Sequence, residues 1–432
     1  MKGYFQLKKR YRRKRYSRRR RSLSASKWGP VVKLLLCVFG GLAGIAALAL
    51  LAMLVLETVF HVDTPLPPDG LVAKVSKLFT KEDILVVTPT PYISPVPTNT
   101  PHPMNSYNPE ENEKEVVIPP ELQYYWFGDP SFIGDKMLFS AGKIVGDNVR
   151  MCGLLEYDTS LGTVTELPIS PRNAHFIYPV MNDEWLVYLD GRLKGGGEIC
   201  AYRVGQYDVD PIIIKTVYVG QPEIRLDGHY ISWIERTGTS RDKLFVCDLE
   251  TQETTVVAQF SSSSYGTSTP FMRDGLLIWA SDGTERFEDG RMASTMKHIE
   301  LSSSGIKDQS VDTYVHDPQF NGSYYVWIDA HYSEKSTLYY APASDGDRLE
   351  AEPIAEGVVD FILDDHFVAY SIDEVIYVYL FNSGESFRIT PERELAQLLG
   401  AGEGRVIWMD VTTRERDVLK YAAIPQDMTA EN

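Results

Sequence analysis

From Val116 onward the chain is a succession of short apolar runs rich in Val, Ile, Tyr and Trp, separated by turn residues, and it predicts strands throughout. One pattern recurs. "YYVWID" (324–329) has counterparts in "KMLFSA" (136–141), "WLVYLD" (185–190), "YISWIE" (230–235), "LLIWASD" (276–282), "FVAYSID" (367–373) and "RVIWMD" (405–410). The aromatic positions Phe139, Tyr188, Trp233, Trp279, Trp327, Tyr370 and Trp408 stand 49, 45, 46, 48, 43 and 38 residues apart. A shorter strand ending in a turn precedes most of them, as in "DPSFIGD", "QPEIRLDG" and "DPQFNGS". A third strand follows ("KLFVCDLE", "LYYAPAS"), and a fourth closes most units ("ETTVVAQF"). Four strands per repeat at this period predict an all-β, seven-bladed β-propeller with four-stranded blades, each burying its faces against its neighbours. The repeated aromatic then belongs to the packing between blades. The last unit lacks an outer strand, and "ELQYYWF" (121–127) is expected to supply it and close the ring.

The repeat unit, clearest from Gln221 to Thr251, combines an x-Pro strand, an Asp-Gly turn, a Trp strand and a strand ending in Asp-φ-x-Thr. It resembles the TolB-like or PD40 class of propeller repeats over residues 116–425, without the Gly-His of WD40 units. The resemblance implies a protein-interaction platform in a bacterial envelope or a gating domain on a peptidase. No hydrolase motif accompanies the propeller in this chain, which favours the platform.

Ahead of the repeats the pattern changes. Leu34 to Leu56 is 23 residues without a charge, long enough to cross a hydrocarbon core of about 30 Å as a helix. Its apolar run and the basic run before it are too long for a cleaved signal peptide. Residues 1–56 carry 14 Lys and Arg and no acidic residue, leaving 29 of the 43 basic residues to face all 59 acidic ones in the remainder. Lys and Arg beside a span stay cytoplasmic, so residues 1–33 are expected inside and the acidic bulk outside. The same basic run suits anionic lipid headgroups. A nucleic-acid arm is the weaker reading, because the run sits directly ahead of a span. Gly40 and Gly44, four apart, leave room for a second helix to pack on the span, although such spacing is common in any span. Residues 57–115 form a juxtamembrane segment and a Pro/Thr-rich stalk; Thr88 to Pro109 in polyproline II form would reach roughly 70 Å.

Candidate chemistry is sparse. The sequence contains no Gly-x-Ser-x-Gly, His-Glu-x-x-His, Walker loop or Cys-x-x-Cys, so no catalytic residue, metal ligand or cofactor is assigned. Cys152, Cys200 and Cys247 fall in third strands and read as unpaired, buried thiols. His331, near Asp329 and Glu334, reads as a solvated loop histidine. The distinctive feature is a set of carboxylates just past the repeated aromatic: Asp190, Glu235, Asp282, Asp329, Asp373 and Asp410. They are expected on one propeller face, either capping their own turns or forming a negative ring for a cation or basic partner. Together these features predict a single-pass, extracytoplasmic binding or sensing module for an envelope protein or polymer, with this face as the ligand face. A glycosidase or lyase on the propeller is the alternative, needing two carboxylates roughly 5–10 Å apart across a cleft.

Overall fold

The computed structural model describes residues 107–425, apart from 237–240, 262–267, 287–291, 303–304, 330–335, 345–347 and 414–416. The basic tail, the apolar stretch 34–56, residues 57–106 of the stalk and His331 lie outside them. Among the described residues no helix is long and apolar enough to cross a membrane.

Among the described residues twenty-eight strands form seven antiparallel sheets of four. In blade 5 the strands are His316–Phe320, Tyr324–Ile328, Thr337–Pro342 and Glu352–Glu356, hydrogen-bonded in chain order. The first strand of every blade contacts the first strands of both neighbours, from blade 1 to blade 7 and back to blade 1, so the sheets close into a ring. Each blade is sandwiched between two others, which is why its second strand is apolar on both faces: in Arg405–Asp410 the four central residues are all buried. All seven repeated aromatics lie in second strands and none is more than 1% exposed. Trp233 stacks on Phe245 at 5.2 Å and Trp327 on Tyr339 at 5.9 Å, each across its own sheet.

Closure differs from expectation. The outer strand of blade 7 is Glu113–Glu115, ahead of "ELQYYWF", and pairs Glu113 with Ala422, Lys114 with Tyr421 and Glu115 with Lys420. Trp126 and Phe127 instead open the innermost strand of blade 1, Trp126–Ile133. The physical reason is burial. Tyr124 and Phe127 are almost completely enclosed, which a solvent-facing outer strand could not provide, whereas an edge strand needs only main-chain bonds and is safer charged.

The x-Pro and Asp-Gly elements of the repeat tie blades together. The first strands of blades 1, 2 and 5 bulge beside Asp129, Tyr178 and Asp317, whose φ angles are +51°, +49° and +49°. That backbone is costly for a residue with a Cβ, and it is held here by bonds between blades. The Tyr178 N–H donates to Asp129 at 3.2 Å, and the Thr269 N–H to Asp317 at 2.6 Å. At the turns between first and second strands, Gly275 N–H donates to Asp227, Asn182 to the Gly228 carbonyl, and Gly404 N–H to Asp364.

Candidate functional site

In an antiparallel meander the loops joining second to third strands emerge on the same side as the segments that lead into the next first strand. This side carries the six candidate carboxylates; of the five whose side chain is described, Asp190, Glu235, Asp329 and Asp410 are engaged by bonds or ion pairs, while Asp373 is exposed in a tight turn. Asp190, with no exposed surface, accepts N–H bonds from Arg172 at 2.8 Å and Asn173 at 3.0 Å. Glu235 lies 3.9 Å from Lys215. Asp329 accepts the Thr337 N–H at 2.7 Å, closing the turn between its own strands. Asp373 and Glu374, at φ +50° and +63°, form a two-residue turn between Ile372 and Val375. Asp410 accepts the Thr412 N–H at 2.9 Å and pairs with Lys420 at 3.2 Å. Asp282 is not at a strand end, because its strand runs on to Arg286; it sits opposite Ser294 in the ladder.

Burial leaves its mark on two of these acids. It pushes the Asp190 carboxyl above its ordinary value, against the backbone bonds that pull it down. Asp190 therefore favours folding below its unfolded value of 3.8, and that contribution is lost as pH rises through its higher native value. Asp190→Asn should accordingly gain melting temperature relative to the parent as pH is raised from about 4 to 7, as read by paired thermal melts; a difference that does not change with pH would contradict a desolvated carboxyl. At Asp410 burial again opposes the anion, but the Thr412 bonds and the Lys420 ammonium outweigh it, and the carboxyl sits below its ordinary value.

Asp190 also shares a cluster with Glu198 and Cys200, whose potential ligand atoms lie within 4.8 Å of one another. The donor set fits a divalent cation poorly. Burial pushes the Cys200 thiol up to about 12, whereas the ligand form is the thiolate. Both Asp190 oxygens already accept N–H bonds, and Arg192 lies 4.0 Å from Glu198. Asp190, with no exposed surface, does not face the open cleft that a glycosidic pair requires, while Glu198 is partly exposed. Cys247 is likewise buried, while Cys152 is half-buried; all three thiols are unpaired.

Among its described residues the face also presents apolar side chains. Val359, Leu395 and Tyr125 lead into the first strands of the consecutive blades 6, 7 and 1, and are 40%, 37% and 54% exposed. Beside them the second and third strands of blade 1, Lys136–Val145 and Asn148–Asp158, overrun their neighbours as a projecting hairpin, with Ile144 65% exposed near its tip. Blade 2 adds exposed Leu193 and Tyr218. Pattern reading missed these residues, because an isolated apolar residue in a loop looks like any strand end; only the ring order sets them side by side.

Blade 7 holds one dense charge cluster. Lys420, 13% exposed, lies 3.3 Å from Glu113, 3.2 Å from Asp410 and in hydrogen-bond contact with Glu394, which also accepts the Trp408 indole N–H at 2.5 Å. Burial alone would lower the ammonium, but the three acids override it and leave it above its ordinary value.

No family model and no curated protein matches the chain. Among solved structures, the β-propeller domain of the Trilobed protease from Pyrococcus furiosus is similar over 69% of this chain and 95% of its own, at 13% identity and a TM-score of 0.53. An oligogalacturonate lyase in complex with manganese covers 73% of this chain and 93% of its own, at 14% identity and a TM-score of 0.49. TolB from Acinetobacter baumannii covers 65% and 78%, at 10% identity and a TM-score of 0.35. The likeness to the first of these, at 13% identity, shows the fold alone, a propeller.

Proposed function

We propose that this protein is an extracytoplasmic binding or scaffold module of the TolB-like kind, held to the membrane by residues 34–56 and displayed on the stalk. Its partner is an envelope protein or polymer. The contact face is the one bearing Asp190, Glu235, Asp282, Asp329, Asp373 and Asp410, with the carboxylates shaping the loops and the apolar residues making the contact. The observation that supports this reading is the run of exposed Val359, Leu395, Tyr125 and Ile144 over blades 6, 7 and 1. Scattered apolar residues are normal on a protein surface, but four on one face of three consecutive blades make a candidate interaction site.

The test uses the full chain in its native membrane, cross-linked and compared with variants. Tyr125→Glu together with Leu395→Glu should reduce the cross-linked complex at least tenfold. Leu161→Glu, on a turn of the opposite face, should leave it unchanged. Equal loss from both variants, or loss only from Leu161→Glu, would place the contact elsewhere.

A further inference from the structure

The segment that closes the ring is small and lightly attached. Three residues, Glu113–Glu115, add to the outer edge of Val418–Ala423, and the Val116 N–H extends the pairing by one bond to the Leu419 carbonyl at 2.8 Å. None of the three is buried. The attachment rests on two further anchors. Tyr107 places its ring 5.1 Å from Phe387, among Phe367, Leu380 and Ile424 between blades 6 and 7. Glu113 reaches the largely enclosed Lys420. These contacts lie on blades 6 and 7, at the far end of the chain from the blade 1 strands that follow the segment.

The connection to blade 1 is a short, stiff hinge. Residues 117–123 are at least partly exposed, include the consecutive Pro119 and Pro120, and end in Gln123 at φ +57°. Pro119 and Pro120 fix φ along the hinge, Pro120–Leu122 forms a single 3-10 turn, and the left-handed Gln123 supplies the bend that returns the chain to blade 1. A short hinge under backbone strain is the arrangement that favours exchange of an identical element between copies, because the exchanged form keeps every contact while releasing the bend.

We propose that Tyr107–Val116 is an exchangeable clip, and that its slot on blades 6 and 7 accepts the same segment from a second copy of this chain, giving a strand-exchanged dimer. The contacts in that dimer are the ones seen within one chain: an aromatic ring in the Phe387 slot, a three-residue strand on the last edge, and a glutamate at Lys420.

The Glu113–Lys420 pair makes the exchange measurable without a substitution. Isotopically light and heavy full chains, mixed in detergent micelles and treated with a zero-length carboxyl–amine cross-linker, yield a Glu113–Lys420 cross-linked peptide. Exchange gives mixed-label peptides whose share rises with protein concentration. The Glu394–Lys420 cross-link stays same-label throughout and controls for scrambling. Gln123→Gly, which accommodates the bend without strain, should lower the mixed share severalfold while leaving total Glu113–Lys420 cross-linking intact. Only same-label Glu113–Lys420 peptides at all concentrations, or a mixed share unaffected by Gln123→Gly, would overturn the proposal.

Discussion

Lys420→Met should lower the melting temperature of the propeller by on the order of 10 °C, the counterpart of about 3–5 kcal/mol. Among the described residues Lys420 is the cation paired with Glu394, which is 7% exposed, and it also meets Asp410 and Glu113. Removing it leaves carboxylates crowded in a poorly solvated site, and an uncompensated buried charge is worse than no pair at all. Two controls separate this cause from lost packing. Adding Glu394→Gln should recover part of the loss, and the single variant should regain stability as pH falls, since protonation removes the charge Lys420 no longer balances. A loss of less than about 1 kcal/mol would show the cluster to be solvated like an ordinary surface pair.

Trp327→Ala should cost about 3–5 kcal/mol, because the side chain is fully enclosed between blades 4 and 5 and its indole N–H donates to Thr313 at 2.7 Å. Trp126→Ala should cost roughly 1–2 kcal/mol, since Trp126 is half-buried and outside the repeat position. Denaturant unfolding of the two variants checks the difference. Equal costs would contradict the reading of the repeat aromatic as the residue on which neighbouring blades depend.

These contrasts also mark how far the sequence could be read. The second strands were legible because a strand buried on both faces must be a continuous apolar run, and seven such runs at similar spacing can hardly mean anything else. The closing strand was not legible. Glu-Lys-Glu has no apolar alternation to detect, and it is held by main-chain bonds and by a lysine 307 residues away in sequence. "ELQYYWF" attracted the assignment because its aromatics look like a strand, which they partly are, but of the innermost kind that needs cover on both faces.

The carboxylates show the same division between position and direction. Their recurrence past the aromatic was plain in the chain, whereas whether each bonds its own turn depends on loop geometry that no periodicity encodes. Asp329 and Asp410 cap backbone N–H groups, and Asp190 is sealed by the segment leading into its blade. The x-Pro and Asp-Gly elements were visible as repeat marks, yet their use as links between blades, as at Asp129 and Asp227, appears only when consecutive units are set side by side.

The protein is proposed to work through the apolar residues on the carboxylate-bearing face. Hydroxyl-radical footprinting of the full chain in native envelope membranes, compared with the detergent-purified chain, tests it most directly. The expected result is at least threefold protection of Tyr125, Leu395 and Ile144 in the membranes, with Leu161 and Ile306 on the opposite side equally reactive in both. Protection confined to Leu161 and Ile306, or no difference at Tyr125, would contradict the assignment of this face.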